Sequence, residues 1–247
     1  MPDPERYARH IVLKGIGGNG QNKLSQARVL IVGAGGLGSP AIAYLAAAGV
    51  GTLGIADFDT VALSNLQRQI IHTTASIGTS KTASAAAFAE ALNPDPNIIR
   101  HDEEFAAGNA DSIVAEYQLV LDCTDNLAAR RTTAAAAANA KVPLVTGAVS
   151  MYDGQLTCLA PYERDCEGRH RPQLSDIFPA DIDEAGLLAC EQTGVLGATT
   201  GVIGSLMAVE AIKLITGTGE PLFGRLLLYD GRSARFTEIT YARNSSG

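Results

Sequence analysis

Hydrophobic residues along the chain alternate between short continuous runs and longer segments with helical spacing. Continuous runs rich in β-branched residues predict buried strands: RVLIVGA (28–34), GTLGIADFD (51–59), YQLVLDCTDN (117–126) and VPLVTGAVS (142–150). Segments rich in small apolar residues predict helices between them: 37–49, ended by Gly49, 81–94, stopped by Asn93–Pro94, and 127–140. This rhythm predicts an α/β fold with a Rossmann-like, doubly wound and mostly parallel sheet.

The two ends of the chain depart from this rhythm. Residues 5–26 predict two short helices separated by the glycine-rich turn GIGGNG. DGQLTCLAP (153–161) alternates and predicts an antiparallel strand, and RLLLYD and ARFTEITY predict a hairpin around Gly231. Residues 162–186 are charged and aperiodic, which favours a mobile, functional loop. We interpret 1–247 as one domain, with N-terminal helices (1–26), a nucleotide-binding half (27–150) and a C-terminal half (151–247) in which antiparallel strands continue the sheet.

The most apolar stretch of the chain, 194–217, contains Glu210 and Lys213, three residues apart. Since charges at a bilayer centre are costly, we expect a buried core helix over 195–216 and no membrane association. With 46% hydrophobic and 18% charged residues, the chain can bury a sizeable core. Its net charge of −7 disfavours binding to nucleic-acid backbones.

The N-terminal sequence and the cysteines indicate a cellular compartment. MPDPERYARH is polar and does not resemble a signal peptide. The four cysteines are scattered and form no C-x-x-C pair: Cys123, Cys158, Cys166 and Cys190. We therefore expect a cytoplasmic protein with reduced thiols, in which Cys123 and Cys158 belong to the core.

A glycine loop follows the first predicted strand directly and opens the next helix. Gly33, Gly35, Gly36 and Gly38 lie in a segment that fits G-x-G-x-x-G, in which the backbone can approach a phosphate at a helix N-terminus. Asp57 ends the second strand 21 residues after Gly36, where a ribose-binding acid is expected. These features alone predict an adenine nucleotide, with NAD as the first candidate.

The segment SNLQRQ (64–69) and two further charged residues favour a different chemistry. Hydride transfer has no general need for Arg68 and Lys81 near the phosphates, whereas nucleotidyl transfer needs cations as charge develops on leaving pyrophosphate. Asp125, at the carboxyl end of a strand, could hold magnesium. Taken singly, Arg68 could form a surface salt bridge, Lys81 could be an ordinary residue of a helix's first turn, and Asp125 could cap a helix.

Long motifs resemble the MoeB/ThiF family, the bacterial relatives of ubiquitin-activating enzymes. Their amino-acid sequences are most similar to the MoeB branch of that family. They run from about residue 5 to residue 243 and include RYARHIVL, VLIVGAGGLGSP, YLAAAGVGTLGIADFDTVALSNLQRQIIH, IGTSK, LVLDCTDN and GVLGATTGVIGSLMAVEAIKLITG. The resemblance implies ATP- and magnesium-dependent adenylation of the C-terminal Gly-Gly carboxylate of a ubiquitin-like sulfur carrier. It also implies a homodimer, in which Arg9 of one subunit acts as an arginine finger in the partner's site.

The resemblance assigns roles to individual residues. Gly36 would meet the phosphates, Asp57 the ribose, and Asp125 magnesium, with Asn126 nearby. Ser64 to Arg68 would line the nucleotide, and Lys81 would contact phosphate. The implied nucleotide site comprises Gly33, Gly35, Gly36, Gly38, Asp57, Asp59, Ser64, Asn65, Leu66, Gln67, Arg68, Lys81, Asp125 and Asn126. The implied catalytic residues are Arg9, Arg68, Lys81, Asp125 and Cys190.

Two departures from the family pattern concern zinc and sulfur. Many members bind zinc through two C-x-x-C pairs, but the loop ERDCEGRHRPQ has one cysteine, and Cys166 and His170 cannot complete a four-ligand site. We therefore expect no structural zinc. No rhodanese-like domain is evident, so we expect an external sulfur donor. Cys190 matches a cysteine that some relatives link to the carrier, although a buried, inert cysteine is the alternative.

Three other functions compete with this interpretation. The acyl group could come from a peptide, or the acceptor could be a modified tRNA base. An NAD-dependent oxidoreductase would account for the glycine loop and Asp57 alone. A third possibility is a scaffold that has lost its activity.

Overall fold

The computed structural model describes residues 4–179 and 194–244. These residues form an eight-stranded sheet with the order β3-β2-β1-β4-β5-β6-β7-β8. The strands are β1 Arg28–Val32, β2 Thr52–Ala56, β3 Asn97–His101, β4 Leu119–Asp122, β5 Leu144–Ser150, β6 Asp153–Leu159, β7 Arg225–Asp230 and β8 Arg235–Thr240. Each neighbouring pair from β3 through β2, β1 and β4 to β5 is parallel, and each neighbouring pair from β5 to β8 is antiparallel. The predicted fold class is therefore confirmed.

Seven helices of the described residues flank the sheet. They are α1 Ala8–Ile11, α2 Gly17–Gln26, α3 Gly38–Ala47, α4 Lys81–Leu92, α5 Ala110–Val114, α6 Leu127–Ala140 and α7 Gly197–Thr216. Apolar side chains of α2, α3, α4 and α7 bury one face of the sheet, and those of α5 and α6 bury the other. Alanines on α3, α4 and α6 let these helices approach the sheet closely.

Strand register places the carboxyl ends of three neighbouring strands side by side. Val32 of β1 pairs with Ala56 of β2 on one side and with Asp122 of β4 on the other. The chain leaves β1 between two neighbours whose connections run in opposite directions, which is where open α/β sheets bind ligands. The glycine loop, Asp57 and the DCTDN segment therefore emerge at one edge.

Helix α7 is the predicted core helix, and it packs against α3, β5 and β6. Among the described residues it is long and apolar enough to span a membrane by length and composition, and 44% of its most apolar window is buried inside the protein. Glu210 is 5% exposed, forms an ion pair with Lys213, and accepts a hydrogen bond from the Leu222 amide at 3.0 Å. A paired, buried carboxylate is typical of a helix inside a soluble core.

The sequence analysis did not predict two elements and misplaced one boundary. Strand β3 lies at the sheet edge and is only partly buried, so its sequence NIIRH lacks the continuous apolar run of a central strand. Helix α5 has only five residues, too few to show helical spacing. Helix α2 begins at Gly17, inside the stretch predicted as a turn.

The segment predicted as a mobile loop, 162–186, is described as far as residue 179. This part contains a 3-10 turn at Leu174–Asp176, and Leu174 is buried. The guanidinium of Arg243 donates to the Gln173 side chain at 3.2 Å, and the Asn244 amide donates to Asp176 at 3.0 Å. The mobility of 162–186 stays a prediction, as does the division of the chain into one domain.

Candidate functional site

The glycine loop packs so tightly that a side chain is excluded at Gly33 and would press on α7 at Gly36. Gly33 has φ of +97°, and a Cβ there would lie 2.8 Å from the Cys123 carbonyl oxygen. A Cβ at Gly36 would lie 3.1 Å from Cγ2 of Thr200, in the first turn of α7. The loop is therefore held between β4 and α7, next to the N-terminus of α3, where partial positive charge favours an anion.

Asp57 lies directly beside the glycine loop, as the spacing predicted. One carboxylate oxygen accepts a hydrogen bond from the Ala34 amide at 2.8 Å, and the other accepts from the Asp59 amide at 2.9 Å. Burial raises the pKa of Asp57, while the charge of Lys81 and the two amide donors oppose that rise. The two donors fix the carboxylate in one orientation, and each oxygen keeps a lone pair for a ligand hydroxyl.

Lys81 begins α4, and its ammonium lies close to Asp57 at the same edge. The side chain is 9% exposed, and Nζ lies 2.7 Å from Oδ2 of Asp59. Ser80 caps the helix by accepting a hydrogen bond from the Ala83 amide at 3.2 Å. A buried cation at a helix N-terminus is unfavourable unless an anion compensates it. Asp59 supplies that anion, and the remaining ammonium hydrogens can still bind a phosphate.

The SNLQRQ segment forms a tight turn beside the loop. Asn65 accepts a hydrogen bond from the Ala62 amide at 3.0 Å, and Arg68 donates to the Ser64 carbonyl at 3.2 Å. Within residues 4–179 and 194–244, Arg68 has no acidic partner, so it does not form the salt bridge considered as an alternative. Leu66 is half-buried and Gln67 is exposed, and the Gln67 carbonyl abuts Gly197 at the start of α7.

Asp125 is exposed and does not cap α6. The cap is Asn126, whose side chain accepts a hydrogen bond from the Ala129 amide at 2.8 Å. The Asp125 carboxylate accepts a hydrogen bond from the Asn126 side-chain amide at 3.4 Å. The carboxylate is therefore accessible to a ligand from solvent. No cluster of three or more potential metal-ligating side chains occurs in the part of the chain that the structure describes. The expectation about zinc stays a prediction.

A buried ion pair that the sequence analysis missed supports the turn before Asp125. Asp122 is fully buried and accepts from Arg130 at 2.9 Å, from the hydroxyls of Thr124 at 2.5 Å and Thr146 at 2.6 Å, and from the Thr124 amide at 3.1 Å. Arg130 also donates to the Thr124 carbonyl at 3.1 Å. The sequence did not indicate this role, because Asp122 simply ends the apolar strand YQLVLD and its partners come from other segments of the chain.

Gln69 and His72 were also missed, although both lie in the quoted motif. The His72 ring joins the Ala34 carbonyl through Nε2 at 3.0 Å and the Ser84 hydroxyl through Nδ1 at 2.9 Å. Because a carbonyl only accepts, Nε2 carries the proton. Burial lowers the pKa of His72. Gln69 lies against Gly35, with Nε2 3.6 Å from the position that a Cβ there would take.

One predicted catalytic residue, Arg9, is not brought to this edge. Arg9 is exposed on α1, and the neighbouring Tyr7 hydrogen-bonds to Asn93 and Asp95, beyond the end of α4. These residues lie at the amino edge of the sheet, one full length of α3 from the glycine loop. Ten helical residues span about 15 Å, which an arginine side chain does not bridge. Cys190 lies outside the described residues.

Cys123 and Cys158 are buried, as expected, and burial raises the pKa of both thiols. Cys166 is exposed. Neither buried thiol is poised to react, because a raised pKa keeps each one protonated.

A glycine loop at the point where the strand connections reverse, with an ordered acid and a buried lysine, defines a nucleotide-binding α/β protein. Comparison with known proteins narrows this class. The ThiF family model matches residues 7–247, and the chain belongs to this family. The confirmed membership agrees with the resemblance of the motifs.

Similar proteins include adenylyltransferases. The chain is 44% identical over 244 residues to the molybdopterin-synthase adenylyltransferase of Escherichia coli, covering 97% of this chain and 93% of that protein. It is 42% identical over 241 residues to the probable adenylyltransferase/sulfurtransferase MoeZ of Mycobacterium tuberculosis, covering 98% of this chain but only 61% of the relative. A crystal structure of Escherichia coli MccB with succinimide has a TM-score of 0.83 at 18% identity, covering 98% and 73% of the two chains. The last comparison shows a shared fold.

Proposed function

We propose that this protein adenylates the C-terminal Gly-Gly carboxylate of a ubiquitin-like sulfur-carrier protein, with ATP and magnesium. The observation that carries the proposal is the buried Lys81 ammonium at the same sheet edge as the glycine loop. A nicotinamide site has no general need for that cation. The similar proteins from Escherichia coli and Mycobacterium tuberculosis are named as adenylyltransferases, which supports adenylyl transfer.

The residues present fit ATP. The glycine loop offers a surface without side chains at Gly33 and Gly36, and Asp57 offers an oriented carboxylate for the ribose hydroxyls. Lys81 and Arg68 supply positive charge near the phosphates. Asp59 holds Lys81 in place and leaves two of its three ammonium hydrogens for other acceptors.

Magnesium fits the site through Asp125. Magnesium in nucleotide sites is commonly held by one or two carboxylates, with substrate phosphates and water completing the shell. A single accessible carboxylate beside the glycine loop therefore suffices. When bound, the ion would neutralise charge on the phosphates.

The proposed reaction is a displacement at the α-phosphorus of ATP. A carboxylate oxygen of the carrier forms the new P–O bond while the bond to pyrophosphate breaks, which yields an acyl-adenylate. The carboxylate is already ionised at pH 7, so no general base is needed. Lys81 and Arg68 stabilise negative charge on the phosphoryl oxygens and on departing pyrophosphate. Sulfur at the oxidation level of hydrosulfide, from an external donor, then bonds to the acyl carbon while the bond to AMP breaks, which leaves a thiocarboxylate.

We propose that the active form is a homodimer in which Arg9 acts on the partner's nucleotide. Its position at the amino edge supports action between subunits rather than within one. An apolar groove adjoins the SNLQRQ segment and offers a surface for a second copy, with Tyr44, Ile70, Val209 and Phe236 each exposed. Cytoplasmic location and a separate sulfur donor remain part of the same proposal.

ATP–pyrophosphate exchange with magnesium tests the proposal. The assay uses a panel of carriers ending in Gly-Gly, and wild type is compared with Asp125→Ala and Arg9→Ala. We expect exchange with at least one carrier and its loss in both variants. The exposed Lys14→Ala variant serves as a control and should keep the wild-type rate.

The alternatives give different results. Exchange with a peptide alone, or adenylation of a tRNA base, would replace the proposed acceptor. Thermal stabilisation by NAD but not by ATP with magnesium would indicate an oxidoreductase. Absence of ATP binding would indicate a scaffold.

A further inference from the structure

The carboxamide of Gln69 is buried without a partner for its oxygen. The residue is 4% exposed, and Oε1 has no hydrogen-bond donor among the residues that the structure describes. Leaving a buried acceptor unpaired destabilises the folded protein. The opposite end of the group, Nε2, lies against Gly35 of the glycine loop. The side-chain amide of Gln69 therefore faces the glycine loop, where a bound ligand could supply a hydrogen-bond partner.

A buried glutamine elsewhere in the protein shows the contrast. Gln21 on α2 is 3% exposed, and both ends of its carboxamide are paired. Its nitrogen donates to the Ala48 carbonyl at 2.8 Å, and its oxygen lies 2.9 Å from Nδ1 of His10. Gln21 is therefore satisfied by the fold alone, whereas Gln69 is not.

The backbone and its neighbours hold Gln69 in place. Its amide donates to the Asn65 carbonyl at 3.0 Å, and its carbonyl accepts from the His72 amide at 3.1 Å. The His72 ring is itself fixed to the Ala34 carbonyl. His72 and Gln69 thus contact the consecutive loop residues Ala34 and Gly35. His72 does so through a hydrogen bond, and the Gln69 amide nitrogen remains able to donate one to a ligand.

We propose that Gln69 is a further nucleotide ligand, in addition to the residues assigned by resemblance, and this inference rests on the proposed function. Its NH2 group donates to a phosphate oxygen lying over Gly35. The carboxamide donates a hydrogen bond without carrying a charge, which neither a carboxylate nor an ammonium can do.

Substitution by a side chain of similar size tests this role. We expect Gln69→Leu to weaken MgATP binding at least fivefold in titration calorimetry. Because the substitution removes an unpaired buried acceptor, the melting temperature without nucleotide should stay unchanged or rise. The matched control, Gln21→Leu, breaks two satisfied hydrogen bonds. It should lower the melting temperature and leave the affinity for MgATP within twofold of wild type.

Each outcome supports or overturns the assignment. An affinity of Gln69→Leu within twofold of wild type overturns it, and a lower melting temperature with unchanged affinity assigns Gln69 a structural role. If the leucine variant does not fold, Gln69→Met, which keeps the side-chain length, replaces it. If wild type itself fails to bind MgATP, the proposed function is wrong and the assignment falls with it. Binding by wild type and by Gln69→Leu alike refutes the inference alone.

Discussion

Removal of one partner from the buried pair of Asp122 and Arg130 should strongly destabilise the protein. Asp122→Ala removes a fully buried carboxylate and leaves a guanidinium, in a side chain that is 8% exposed, without its counter-charge. Breaking a buried pair by removing one partner costs about 3–5 kcal/mol. For a domain of this size each kcal/mol lowers the melting temperature by about 2–4 °C, so we expect a decrease of roughly 6–20 °C.

Urea unfolding followed by circular dichroism measures this change, since the chain has no tryptophan for fluorescence. The double variant Asp122→Ala/Arg130→Met removes both charges together. We expect it to be more stable than the sum of the two single changes predicts, by about 0.5–3 kcal/mol. The exposed Asp111→Ala is the control and should change stability by less than about 0.5 kcal/mol.

A loss of less than about 1 kcal/mol in Asp122→Ala would refute the reasoning, because solvent would then be reaching Arg130. Strict additivity in the double variant would show that the two side chains do not interact energetically. The pair also bears on function. Thr124, which both side chains contact, directly precedes the proposed magnesium ligand, so Asp122→Ala should reduce exchange activity even where the protein remains folded.

Three further predictions concern the site. Inactive Arg9→Ala and Asp125→Ala subunits, mixed and reassembled one to one, should recover about a quarter of wild-type activity, since half of the dimers then carry one intact shared site; no recovery would contradict action between subunits. Because burial lowers the pKa of His72, the imidazole binds a proton more readily in the unfolded chain than in the folded one, so the stability of the protein should fall as the pH drops below 6.5. The His72→Gln variant should lose less stability than wild type between pH 7.5 and 5.5, as measured by the midpoints of urea unfolding. Gly33→Ala should abolish nucleotide binding, measured by calorimetry, because the added Cβ clashes with a backbone carbonyl. Gly78→Ala, at φ of +86° with nothing within 4 Å, should only lower the free energy of unfolding by about 1–2 kcal/mol. Equal effects of the two substitutions on nucleotide binding would argue against the clash.

Much of the fold follows from the pattern of the sequence. Central strands such as β1 and β4 are buried on both faces, so their residues form continuous apolar runs. Helix α6 was predicted with its observed bounds, although its cap is Asn126 and not Asp125, and Lys141 in the left-handed conformation ends it. Strand β3 was missed because an edge strand is buried on one side only and leaves a mixed pattern.

The candidate site was predictable only where spacing along the chain carries the information. The glycine loop and Asp57 are separated by one helix and one strand, a distance that βαβ geometry fixes. The partners of Asp122 and Gln69 depend on which side chains face each other across the sheet edge, and no local pattern encodes that. For Arg9 the sequence motif identified a candidate residue. The motif could not show that this residue lies at the opposite edge of the sheet from the glycine loop.

The ring of His72 ties together two parts of the site that are distant in sequence. It bonds to the glycine loop on one side and to Ser84, one turn after Lys81, on the other. The glycine loop and the first turn of α4, which carries Lys81, are therefore connected through one side chain. Their relative position is established when the chain folds, and no ordering entropy is lost at this contact in each turnover.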